Sequence, residues 1–270
     1  MLKFLYLLAK DFVYLFLRLI LWCFVIFGFA MITKFFWSQG FGAYFDTADV
    51  YKLNVIKYGA LGVCGLLCVF IMLMSVIKPA QWFAENMFTF QGALTHTLPV
   101  KSGVHIATKA ISALLMNIIM LLAIVISFLA FKEGIAYFDD IFMAVEDVIS
   151  AESADISLTP TIIWGLVSVI SLCFVITASC FLSLSMGQLV SSFRNLFIFV
   201  CYCGIFVVSM LVFVAFAMGA NIIDISVIDG MQGLMSFANN IFITVFKANL
   251  ILGVVYNVLS GIIVSYKLNI

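Results

Sequence analysis

Apolar residues run along this chain in long unbroken blocks separated by shorter polar stretches. Six blocks reach the roughly 20 residues needed to cross a hydrocarbon core: about 12–36, 55–77, 104–131, 161–190, 196–220 and 242–266. Barrel strands need only about 9–11 alternating residues, so runs of this length point to helices. The pattern predicts an all-α polytopic membrane protein, a single transmembrane domain over residues 1–270 with six transmembrane helices. The sixth span is the most interrupted, by Lys247 and Asn257. Lys247 stands close enough to its end for the ammonium to snorkel to the interface.

The stretches between the blocks have patterns of their own. Residues 1–11 set Leu2, Phe4, Leu5, Leu7 and Leu8 against Lys3 and Lys10, as an amphipathic lead-in at the interface would, or as the end of the first helix would. Residues 133–155 hold seven acids, with Phe138, Ile141, Phe142, Val145, Val148 and Ile149 at helical spacing. This predicts an amphipathic helix outside the membrane with its acidic face to water. Thr159 and Pro160 suit the cap and first position of the fourth span. Residues 221–240, with Ile222, Ile223, Ile225, Val227 and Ile228, are unusually apolar for a loop. If they dip back to the membrane, their backbone must be helical or covered.

Lysine and arginine set the orientation. With the N-terminus inside, eight cations fall on the inner side (Lys3, Lys10, Arg18, Lys78, Lys101, Lys109, Arg194, Lys267) and five on the outer side. Both termini are therefore expected in the cytoplasm, with the protein multi-pass in the cell membrane.

Composition agrees with lipid as the main solvent: 66% of residues are hydrophobic and 10% charged, where soluble domains carry about 25% charge. The first apolar stretch is too long for a secretory signal and has no small-residue cleavage pattern. A net charge of zero offers no field for nucleic acid. All seven cysteines lie inside apolar runs and read as packing residues. Cys64 and Cys68 share a helix face, but no His or carboxylate stands near them in sequence to complete a metal site. His96 and His105 fall at the inner face or a helix start and read as polar surface residues. No phosphate-binding Gly-x-x-x-x-Gly-Lys loop, zinc-binding His-Glu-x-x-His or nucleophile-bearing Gly-x-Ser-x-Gly occurs. The middle of every span lacks Asp, Glu, Lys and Arg, which disfavours an ion-coupled transporter or proton pump. No cofactor and no catalysis are expected of this chain. Ser168, Ser171, Thr177, Ser179, Ser183 and Ser185 on the fourth span, with Asn117 and Asn257, are expected to hydrogen-bond between helices.

The most informative segment is the connection between the second and third spans, about 78–103. It contains Met87-Phe88-Thr89-Phe90-Gln91-Gly92-Ala93-Leu94-Thr95-His96-Thr97-Leu98-Pro99-Val100-Lys101. Leu94, Thr95, Thr97, Leu98, Pro99 and Val100 resemble a Leu-Thr-x-Thr-Leu-Pro-Val stretch in permease subunits of two-component ATP-binding-cassette exporters, the ABC-2-like permeases. Lys109-Ala110-Ile111-Ser112-Ala113-Leu114 resembles the stretch that follows it in that family. Gly187-Gln188-Leu189, ahead of Arg194, is similar to the family's Gly-Gln-Leu and basic residues between spans 4 and 5. The chain departs from many relatives at Thr89, Phe90 and Gln91, where those carry acids.

The resemblance implies a permease subunit of an ATP-driven exporter, moving an amphipathic peptide, drug or lipid. ATP hydrolysis would belong to a separate cytosolic ABC ATPase subunit, and a second permease subunit, identical or different, would complete the membrane unit. A cytoplasmic coupling helix between spans 2 and 3, about residues 85–97, would dock on the ATPase. Its implied coupling residues are Met87, Phe88, Leu94, Thr95, Thr97, Leu98 and Pro99, with Gly187, Gln188 and Arg194 in the inner turn between spans 4 and 5. Pro99 would end the coupling helix, since the residue before a proline is pushed out of helical geometry. Membrane lipids are the remaining expected partner. The alternative is a membrane anchor or assembly factor that recruits a cytosolic partner through the same 78–103 connection without transport.

Overall fold

A computed structural model describes residues 2–37, 50–88, 102–132, 159–190, 192–219 and 230–268. The described residues form six α-helices and no strands: α1 Leu2–Trp37, α2 Val50–Phe88, α3 Ser102–Lys132, α4 Thr159–Gly187, α5 Arg194–Gly219 and α6 Gly230–Leu268. All six are long and apolar enough to cross a membrane. This is the architecture of a multi-pass membrane protein.

Three helices outrun their apolar blocks. At about 1.5 Å per residue, α1, α2 and α6 (36, 39 and 39 residues) extend for about 54–58 Å, against a hydrocarbon core of roughly 30 Å. Residues 2–11 are the first turns of α1 itself. α2 continues eleven residues past the predicted end at Ile77, straight through Pro79. Pro79 has no N–H to give the Ser75 carbonyl four residues back, which weakens one turn without ending the helix. Beyond it, Phe83 and Met87 are spaced i, i+4 and both buried, so packing holds the extra turns in place. The 78–103 connection therefore opens with helix. α6 begins at Gly230, twelve residues before the predicted start, and passes Lys247 and Asn257 without a break. Lys247 is exposed, and Asn257 Nδ2 donates to the Gly253 carbonyl at 2.8 Å. The 133–155 acidic segment lies outside the described residues.

The chain groups into two compact units: Met1–Leu15, Ser75–Asn117 and Ser157–Ile270 form one, and Phe16–Met74 and Ile118–Ile156 the other. The division cuts α1, α2 and α3, and in α2 it falls at Ser75, the residue whose carbonyl faces Pro79.

In the first unit α4 packs most extensively on α6, and α5 on both. One core cluster joins Phe83 and Met87 of α2, Ile106, Ala110 and Ala113 of α3, Phe181 of α4 and Val264 of α6. A second joins Val175, Ala178 and Leu182 of α4, Ile205 of α5, and Leu252 and Tyr256 of α6. The α4 hydroxyls mostly turn back on their own helix. Ser168, Ser171, Thr177, Ser179, Ser183 and Ser185 each donate to a carbonyl three or four residues earlier, at 2.7–3.0 Å. Such a carbonyl is always within reach, so a hydroxyl in lipid needs no second helix. Among the described residues, α4 hydroxyls link to α6 where a polar group faces them: Ser185 with Ser260 at 2.7 Å, Asn249 to Ser171 at 3.4 Å, and Thr161 to Met235 Sδ at 3.7 Å.

In the second unit, Trp22 of α1 meets Phe70 of α2 edge-on, with ring centroids 5.2 Å apart. Cys23 Sγ donates to Met120 Sδ of α3 at 3.3 Å, and the Thr33 hydroxyl closes on the Phe29 carbonyl at 2.8 Å.

Candidate functional site

The end of α2 is built into the first unit's core. Phe83 is fully buried and stacks on Phe181, with centroids 4.3 Å apart and planes 12° from parallel. Phe88 meets the Phe83 ring edge-on at 5.5 Å. Met87 is 4% exposed and packs with α3, α4 and α6. Of the implied coupling residues, Met87 and Phe88 thus sit against the core. Leu94, Thr95, Thr97, Leu98 and Pro99 lie outside the described residues, as does His96.

Immediately before Phe83, Trp82 belongs to a charged cluster. Lys109 Nζ lies 3.5 Å from the centroid of the Trp82 ring and 3.8 Å from Asp11 Oδ1. The Lys109 and Asp11 side chains are 3% and 8% exposed. Thr108 Oγ1 is 3.0 Å from Asp11 Oδ2 and 2.9 Å from the His105 carbonyl, so its single proton is shared between two acceptors. Tyr14 stacks on Trp82 at 5.3 Å. Three helices meet here: α1 supplies Asp11 and Tyr14, α2 Trp82, and α3 Thr108 and Lys109. The arrangement suits charges in a poor solvent. The ammonium has a carboxylate and an indole face, and the carboxylate has a cation and a hydroxyl.

Counting Asp11 and Lys109 only as loop charges hides this pair. A signal was present. Asp11 stands midway in the Leu7, Asp11, Leu15, Leu19 series, spaced by four along the buried stripe of α1. A carboxylate on an apolar stripe calls for a partner. Lys109 likewise lies among Ile106, Ala110 and Ala113 on the buried side of α3. His105 is also turned inward, 2% exposed, and is no surface residue. Its place one turn before Lys109 puts it on the same buried face.

The α4–α5 turn holds the other implied residues. Gly187 ends α4 against Ile198 of α5: a Cβ there would fall on Ile198 Cγ1 and lie 2.8 Å from Cδ1. With the Gln188 amide oxygen turned to the Arg194 guanidinium, it accepts from Nε at 3.1 Å and from Nη2. Phe193, the residue before α5, has φ 56° and is 83% exposed. Its carbonyl accepts the Phe197 N–H at 3.0 Å, opening the helix. A left-handed phenylalanine is a strained way to reverse the chain in six residues.

Two apolar cavities open on the same unit. One of about 440 Å³ lies between α2, α4 and α5, lined by Ile77, Ala80, Gln81, Leu184, Phe199 and Tyr202 among others. The other, of about 600 Å³, lies between α3 and α6 with Phe174 of α4, and is lined by Ala107, Ile111, Asn257, Val258 and Ile262 among others. Both volumes fall in the usual range for small-ligand sites. Among the described residues no three His, Cys, Asp or Glu side chains gather as a metal site would require. No family model, no curated protein and no solved structure matches this chain.

Proposed function

We propose that the chain is the membrane-spanning permease subunit of an ATP-driven exporter. A separate cytosolic ATPase would act on the connection after α2, and a second permease subunit would complete the pathway. The amphipathic start of α1, residues 2–11, would lie at the inner interface, with both termini cytoplasmic and the protein in the cell membrane. Residues 85–97 would form the coupling element, its first turn being the last turn of α2. The exported molecule is amphipathic: a peptide, drug or lipid.

The observation that carries this reading is the seating of Phe83 and Met87. A force applied beyond Phe88 reaches α3, α4 and α6 directly through these two side chains, because a close-packed core moves in discrete steps and does not give gradually. A loop that served only as a tether would need no such anchorage.

The test is purification of the full chain from its native membranes, with identification of what comes with it. An ATPase subunit carrying a nucleotide-binding loop is expected. L94A, L98A and P99A should then lower ATP-driven transport by that complex at least about tenfold, with the chain still folded, as loss of an interface anchor does. Unchanged transport in all three variants refutes the reading. A bound soluble partner without transport identifies the anchor alternative.

A further inference from the structure

We propose that Lys109 is a positioning residue that latches the first turns of α1 to both helices flanking the 89–101 connection. α2 enters that connection at Phe88 and α3 leaves it at Ser102. Lys109 belongs to α3, seven residues after its start, and touches Trp82 of α2, six residues before its end. The same ammonium faces Asp11 of α1 at 3.8 Å, and the neighbouring Thr108 hydroxyl reaches the other oxygen of that carboxylate. One cation thus bridges three helices.

Chemistry explains why the bridge is selective. The Asp11 and Lys109 side chains are almost wholly buried. A buried charge that loses its counter-charge is strongly disfavoured, so either group alone has no comfortable alternative at this spot. Tyr14, one turn after Asp11, adds a ring stacked on Trp82, so α1 meets α2 on the same indole that α3 meets. In contrast, Leu5, Tyr6, Ala9 and Lys10 are exposed. Among the described side chains of residues 3–11, only Leu7 joins Asp11 in burial, which leaves the charge pair as the main polar tie there. The consequence is that the start of α1 moves with the two flanking helices. Only this consequence for coupling rests on the transport reading; the latch itself does not.

Hydrogen exchange of the full chain in phospholipid nanodiscs, without any ATPase, tests the latch. K109M and D11N should raise amide exchange over residues 6–10 by about tenfold or more while exchange over residues 165–185 stays at the wild-type level. K109R, which keeps a cation for both Asp11 and Trp82, should lie nearer to wild type than to K109M. D11N keeps the size of the side chain, so it reports even if K109M folds poorly. Unchanged exchange over residues 6–10, a rise spread evenly over all six helices, or K109R as damaging as K109M each overturns the proposal. Because no ATPase is in the sample, failure here leaves the transport reading standing, and failure of transport leaves the latch standing.

Discussion

Replacing Phe83 with alanine removes the ring at the centre of the first unit's core. In a water-soluble protein such a change costs about 3–5 kcal/mol, part of it from lost transfer out of water. That part is largely missing here, because lipid tails are as apolar as the core they would replace. What remains is the hole. Phe83 is fully buried, so truncation to alanine opens roughly 100 Å³, and at about 24 cal/mol per Å³ this amounts to about 2.4 kcal/mol. Losing the parallel ring of Phe181 at 4.3 Å adds about 0.5–1.5 kcal/mol. F83A should therefore destabilise the protein by about 3–4 kcal/mol in a reversible denaturation in mixed micelles. A double-mutant cycle with F181A isolates the stacking share, with an expected coupling of about 0.5–1.5 kcal/mol. Amide exchange over residues 80–88 should rise more than over residues 200–215, because α5 contributes nothing to this cluster. A loss under about 1 kcal/mol, or strict additivity with F181A, would refute the claim that this ring fastens the end of α2.

Two glycines give further tests. At Gly187 the Cβ of an alanine would collide with Ile198 near its own backbone, so G187A should cost about 1–3 kcal/mol despite alanine's better helix propensity, and I198A should restore most of it in the same denaturation assay. At Gly253 of α6 a Cβ would run into Cε1 of the Phe174 ring, so G253A should be destabilising alone and near neutral beside F174L. If either rescue fails, the close approach is not what requires glycine at that position.

Much of the architecture could be read along the chain. Six apolar blocks became six helices, and the weakest block, with Lys247 and Asn257, proved to be one continuous helix. The ends were less legible. The second apolar block ends at Ile77, yet α2 runs on through Pro79, because a proline removes only one backbone hydrogen bond and two buried side chains beyond it outweigh that loss. The coupling roles of Met87, Phe88, Gly187, Gln188 and Arg194 are implied by the resemblance alone, whereas the pairing of Asp11 with Lys109 shows only in the fold. Its members stand about a hundred residues apart, so although each falls on an apolar stripe that calls for a partner, neither says which partner it has.

Residence in lipid and helix number are local properties. A run of twenty apolar residues in a bilayer can satisfy its backbone only by coiling on itself, whatever the rest of the chain does. Which face of a helix meets protein is not local. Lipid solvates an apolar face about as well as a neighbouring helix does, so hydropathy cannot tell the two apart. α4 and α5 look alike as apolar runs, yet over an 18-residue apolar stretch of each, 50% of the α4 residues are buried and 6% of the α5 residues. Tertiary structure alone decided that difference. It also seated the end of α2 among α3, α4 and α6, and brought one lysine within reach of an aspartate and a tryptophan on two other helices.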